Sequence, residues 1–206
     1  MPSRRQYWFE GWRLFAVLTM VLAGLCVWIA GMRGFEVDGV RMVIRFTART
    51  SLALFCLAFA AAALARMWPN AWTRWLRRNR RYLGVSFAAS HAIHAVAIVT
   101  FAVMDPAGYA AATSIASYIF GGIGYAFIIA MTATSFDRTA AAIGMRAWRR
   151  LHLAGGYYLL FQFMVSFGKR IPDMPLYALF LIPLVAVFAL RMIAMAPRPQ
   201  ATVRTG

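Results

Sequence analysis

Residues 82 to 104 read YLGVSFAASHAIHAVAIVTFAVM, 23 residues without a Lys, Arg, Asp or Glu, preceded by Arg80-Arg81 and closed by Asp105. A hydrocarbon core about 30 Å thick is crossed by about 20 apolar residues in an α-helix, so this stretch is long enough for one crossing. It also holds His91 and His94, two of the chain's three histidines. Working outward, stretches 14–32, 50–65, 106–136, 151–168 and 174–190 are equally free of charge. The one at 106–136 is too long for a single crossing, and Pro106, Ala107 and Gly108 mark a loop within it, so its helix is expected to begin near Ser114. The reading is an all-α, six-helix transmembrane bundle in one domain over 1–206, with spans near 12–32, 50–68, 82–104, 114–135, 151–168 and 174–191.

The composition agrees. Of 206 residues 62% are hydrophobic, while 22 basic residues against 6 acidic ones leave a net charge of +16. A nucleic-acid binder can carry such a charge, but this much apolar surface does not stay in water, and no nucleic-acid partner is expected. The partner is the lipid bilayer. Basic residues are unevenly shared: 16 of the 22 fall in the N-terminus, the second connection (Arg66 and Arg74 to Arg81), the fourth (Arg138 to Arg150) and the tail. The positive-inside rule then puts both termini in the cytoplasm, and the expected location is a bacterial-type inner membrane, crossed many times. The first apolar stretch reads as a span and not as a cleavable signal, since no soluble mature chain follows it. Cys26 and Cys56 fall inside spans and no CxxC occurs, which gives no sign of a disulfide framework.

Orientation assigns each histidine a depth. At about 1.5 Å per residue, His91 lies about 14 Å and His94 about 18 Å beyond Tyr82, near mid-membrane. His152 follows the Trp148-Arg149-Arg150 cluster and sits within about one turn of the cytoplasmic surface. Ionisable side chains inside a membrane are costly and mark function by default. Inward imidazoles can ligate haem iron, serve a proton pathway or hydrogen-bond between helices, and spacing alone leaves these readings open.

Four segments carry a resemblance. Phe46-Thr47-Ala48-Arg49-Thr50-Ser51-Leu52, Arg80-Arg81-Tyr82-Leu83-Gly84 with His94 downstream, and Trp148-Arg149-Arg150-Leu151-His152 with Tyr157 and Tyr158 beyond resemble the ferric reductase-like transmembrane family. Within it they are most similar to the haem-binding membrane subunits of periplasmic methionine-sulfoxide reductase systems. Ser90-His91-Ala92-Ile93-His94 is also similar to the matching helix of the NADPH oxidases. The resemblance implies a haem b electron conduit, fed by a quinol or a flavoprotein and emptying into a periplasmic oxidoreductase. It implies His94 as the first haem ligand, with His91 or His152 next, and His94 and His152 each as a candidate for binding iron. The chain itself supplies no Rossmann or P-loop motif and no catalytic residue; Gly121-Gly122-Ile123-Gly124 lies in a span and reads as helix packing.

One departure stands out. The family places a second histidine thirteen residues beyond the first on its fifth helix, and here that position is Val165. Met164 is a substitute thioether, turned about 100° from residue 165. Gln162 is level with His91, so the two are expected to hydrogen-bond if no haem is bound there. His94 and His152 differ in depth by roughly 15 Å and do not share an iron. The competing function is a haem-free membrane scaffold or interaction subunit. The Arg74–Arg81 cluster reads as a topology signal meeting anionic lipid, and Arg41, Arg45 and Arg49 as interfacial anchors or a docking point for a periplasmic partner.

Overall fold

The computed structural model describes residues 9–196. Arg4, Arg5, Arg198 and Arg204, which enter the charge asymmetry, lie outside the described residues. Among these residues the chain is all-helical: α1 (Gly11–Gly31), α2 (Val37–Met67), α3 (Ala71–Arg78), α4 (Arg80–Met104), α5 (Pro106–Ala112), α6 (Ile115–Ala133), α7 (Asp137–Gly168), a 3-10 turn (Pro175–Phe180) and α8 (Leu181–Met195). Five segments are long and apolar enough to cross a bilayer: α1, α2, α4, α6 and the 3-10 turn continuous with α8. The chain is therefore a multi-pass membrane protein. The sixth expected span is the second half of α7. It is helical, but His152, Gly155, Gly156, Tyr157, Tyr158 and Gln162 dilute its apolar character and it does not join the five.

Three boundaries differ from the charge-free stretches. The second helix begins at Val37, not near residue 50, because Arg41, Arg45 and Arg49 recur every fourth residue on one face while Val40, Val43 and Thr47 are buried on another. Charge interrupts composition there without interrupting the helix. The segment bearing Arg138 to Arg150 is likewise helical; it is bent at Gly144, whose φ of +76° is a conformation that favours glycine. Arg191, expected in the tail, lies within α8. Its Nη1 donates to the Phe59 carbonyl at 3.1 Å, and the guanidinium lies 4.1 Å above the Phe59 ring. Ser114 does cap α6, its hydroxyl accepting from the Ser117 amide at 3.2 Å.

α2 is the central pillar. Half of its apolar window (50%) is buried inside the protein, against 11% for α6, which faces mostly outward. Leu52, Phe55, Phe59 and Ala60 of α2 form the main core with Phe87 of α4, Leu159, Leu160 and Phe163 of α7, and Leu184 and Val187 of α8. Leu14 of α1 packs on Ala61, Leu76 and Leu83 at the α3 end of the bundle. There Asn79, almost fully enclosed, accepts from the Gly11 amide at 2.9 Å and donates to the Trp75 carbonyl at 3.0 Å.

A polar seam joins α2 to α4. Thr47, Ser51 and Ser90 have no exposed surface, and Ser51 donates to the Ser90 hydroxyl at 2.8 Å, with Thr50 3.1 Å from the same oxygen. Small hydroxyl side chains let helix backbones approach closely and bond across a medium that offers no water. Ser90→Val should therefore destabilise the bundle by about 0.6 kcal/mol and by no more than about 1.7 kcal/mol, the mean and the maximum measured for interhelical bonds of this kind. Unfolding in detergent micelles checks this; unchanged stability would mean that the seam contributes only shape.

Candidate functional site

His94 projects from the seam. Its Nδ1 lies 3.1 Å from the Ile44 carbonyl and 2.9 Å from the Thr47 hydroxyl. A carbonyl can only accept, so Nδ1 carries the proton. Thr47 in turn donates its own hydrogen to the Val43 carbonyl at 2.7 Å and can take a bond from Nδ1. The Nδ1–H tautomer leaves Nε2 with a free lone pair, the state in which imidazole binds a metal. α2 thus orients an α4 side chain through two backbone carbonyls and one threonine.

His94 lines a cavity of about 580 Å³ at the end of the bundle opposite α3, walled by α2, α4, α6 and α7. Five cations stand around it: Arg41, Arg45, Arg49, Lys169 and Arg170. None is in an ion pair; among the described residues the pairs are Arg78 with Glu10 and Arg81 with Asp137. Cations around an apolar-walled cavity that are not held in ion pairs favour an anionic group. Gly121 and Gly122 also line the cavity, and a Cβ placed on either would meet nothing within 4 Å. The pair reads as open wall, where close helix packing was expected.

His91 lies one turn earlier, its ring 5.2 Å from that of His94, 5.3 Å from Phe87, 5.3 Å from Tyr125 and 6.0 Å from Phe163. It lines neither large cavity. Its Nδ1 is buried without a hydrogen-bond partner. The expected bond to Gln162 is absent, and the α7 residue against His91 is Phe163. Helix rotation is the reason: the buried face of α7, Gly155, Gly156, Leu159, Leu160, Phe163 and Phe167, is centred on Phe163, and residue 162 lies about 100° from Phe163, at the edge of that face. Met164 packs against the main core and lines neither cavity. Val165 is 45% exposed.

His152 occupies a second cavity, of about 380 Å³, at the α3 end with Arg80, Arg81, Phe59 and Phe87. Its Nε2 is 3.3 Å from the Thr134 hydroxyl, which donates to the Ala130 carbonyl at 2.8 Å, so Nε2 carries the proton. Trp148 stacks on the imidazole at 4.3 Å and donates from its indole N–H to the Thr134 carbonyl at 3.0 Å. The two histidines are held in opposite tautomers, and only His94 has its outer nitrogen, Nε2, free. Phe87 borders the α3-end cavity and His94 the opposite one, so Phe87, His91 and His94 form a row of rings between them.

Among the described residues no group of three or more His, Cys, Asp or Glu converges as a set of metal ligands. A haem asks less of the protein, because the macrocycle supplies its own nitrogens and the chain need provide only an axial ligand. His94 fits that requirement, and the cations fit the carboxylates. A clamp between two histidines does not fit. Comparison of the chain with protein-family models, curated proteins and solved structures gives no match.

Lys169, Arg170 and Tyr125 escape a reading of motifs, and Arg45 and Thr47, read as an interfacial anchor and as part of a helix entry, stand instead at the cavity and on the His94 ring. The four-residue spacing of Arg41, Arg45 and Arg49 is a signal that they share a face; nothing in the order of residues brings Lys169 and Arg170 to the same cavity. Phe163→Ala should cost about 3 to 5 kcal/mol, because the ring packs on Phe55, Phe87, Phe167 and His91. Gln162→Ala should stay within about 0.5 kcal/mol. Thermal unfolding of the two variants in micelles decides which residue supports His91; the opposite ranking would return that place to Gln162.

Proposed function

We propose that this chain is a haem b electron-transfer subunit of the ferric reductase-like type. In this reading it is a six-span bundle with cytoplasmic termini in a bacterial-type inner membrane, carrying electrons from a quinol or flavoprotein donor to a periplasmic acceptor. The observation that carries the reading is the state of His94, an imidazole deep in an apolar helix, proton-locked on Nδ1 and facing a large cavity with Nε2 free. Burying such a group between apolar helices is costly, and a bound ligand offsets that cost. The excess of basic residues at the α3 end supports its cytoplasmic placement, and Phe46–Leu52, Arg80–Gly84 and Trp148–His152 support the family resemblance.

Each residue has a part. His94 would hold the iron through Nε2, while Ile44 and Thr47 fix the plane and basicity of its ring. Arg45, Arg49, Lys169 and Arg170 would receive the carboxylates of the macrocycle. Phe101, Tyr118 and Phe167 supply apolar wall that limits water. The haem, when bound, supplies a one-electron couple that no side chain of this chain provides. His91 and Phe87 extend the aromatic path towards the α3 end.

A reduced-minus-oxidised visible spectrum of the purified protein, produced with ample haem, should show Soret and α-band changes. His94→Ala should remove them, and His152→Ala should leave them in place. Thr47→Val keeps the Ile44 contact and should weaken haem retention about 10-fold, the lower range of outer-shell effects. A spectrum without a Soret band in the unaltered protein would sink the reading and favour a haem-free scaffold.

A further inference from the structure

We infer that the haem site is built for a single axial histidine and leaves the opposite face of the iron free for small exogenous ligands. The inference rests on the haem reading above and concerns which side chains reach the cavity.

The position where the family places its second histidine, Val165, is on the wrong side of α7. Phe163 and Phe167 are buried, whereas residue 165 lies about 200° around the helix from Phe163 and is 45% exposed. The absence of a histidine there is more than a substitution, because the side chain at this position does not line the cavity. Met164 is committed to the core on another face. His91 stands one turn from His94 on the same helix and lines neither cavity, so the two imidazoles do not oppose each other across it.

The facing wall offers no replacement. The elements facing His94 contribute no imidazole, thioether or thiol; their tyrosines are Tyr109, Tyr118, Tyr125 and Tyr177, and the rings of Tyr109 and Tyr118 pack edge to face on each other at 6.0 Å. The Tyr125 hydroxyl is already 3.3 Å from the His91 carbonyl, to which it donates. Tyr177 lies beneath Arg49 and Arg170, with guanidinium carbons 5.9 and 5.7 Å from its ring centre. Lys169, as an ammonium ion, has no lone pair to give. The open space at Gly121 and Gly122 leaves room for a small molecule.

With His94 as the one side chain able to hold the iron, a small molecule would be able to add its lone pair as a single dative bond, with no electron or atom transferred. In the ferrous state carbon monoxide would bind; in the ferric state azide or cyanide would, aided by cations that are not held in ion pairs. The site would therefore be a ligand-binding haem, where a bis-histidine haem would be closed.

The full-length protein in micelles tests this by optical and electron paramagnetic resonance spectra. The expected result is a high-spin ferric signal, a prompt Soret shift when carbon monoxide is added to the dithionite-reduced protein, and a shift with azide in the oxidised protein. A Soret band with a low-spin signal and no response to carbon monoxide would overturn the inference and leave the haem reading standing. No Soret band would overturn both. Val165→His should keep the high-spin signal and the carbon monoxide response; conversion to an unresponsive low-spin form would show that position 165 reaches the iron, and would overturn the argument from helix face.

Discussion

The close approach of α2 and α4 through buried hydroxyls is the constraint on which the rest of the structure depends. In a bilayer, apolar side chains gain nothing from leaving lipid, so two helices stay together through close packing and hydrogen bonds. Thr47, Thr50, Ser51 and Ser90 meet both needs, being small enough for contact and polar enough to bond. The same seam brings the carbonyl of Ile44 to the His94 ring. Packing and ring orientation are thus one event. The other elements arrange themselves around this pair, with α8 and α1 against α2, and α7 across the main core.

The histidines differ in what the backbone asks of them. At His94 a carbonyl takes the Nδ1 proton and exposes the outer nitrogen. At His152 a threonine hydroxyl, itself saturated by its own helix, takes the Nε2 proton. Identical side chains in one membrane domain are thereby assigned different work: one presents a lone pair to a cavity, the other ties the middle of α7 to the end of α6. His91, between them, contributes a ring to a stack and leaves its Nδ1 without a partner.

Much of the bundle was legible in the charge-free stretches, because lipid excludes charge and helices fill the gaps. The rule failed where charge is confined to one face, as in Arg41, Arg45 and Arg49, which ride on a helix whose other face is core. In α7 the charge-free stretch 151–168 is helical as expected, but polar groups and glycines soften its apolar signal, so it does not join the five long apolar helices. His94 stood out because an ionisable group at that depth is expensive. Its surroundings did not, since Lys169 and Arg170 reach the cavity only through the fold, and since a difference of one residue in sequence, 162 against 163, is a third of a turn in space. Read as a topology signal, the charge asymmetry concealed a second group of cations around the His94 cavity.

The bond from Gly11 to Asn79 bears on how the bundle is closed. The first amide of α1 finds its acceptor 68 residues later, on a side chain almost fully enclosed between α3 and α4. A single enclosed amide therefore fastens the leading end of α1 to the α3–α4 corner, and the N-terminal edge of the bundle is closed by a bond that spans 68 residues of chain.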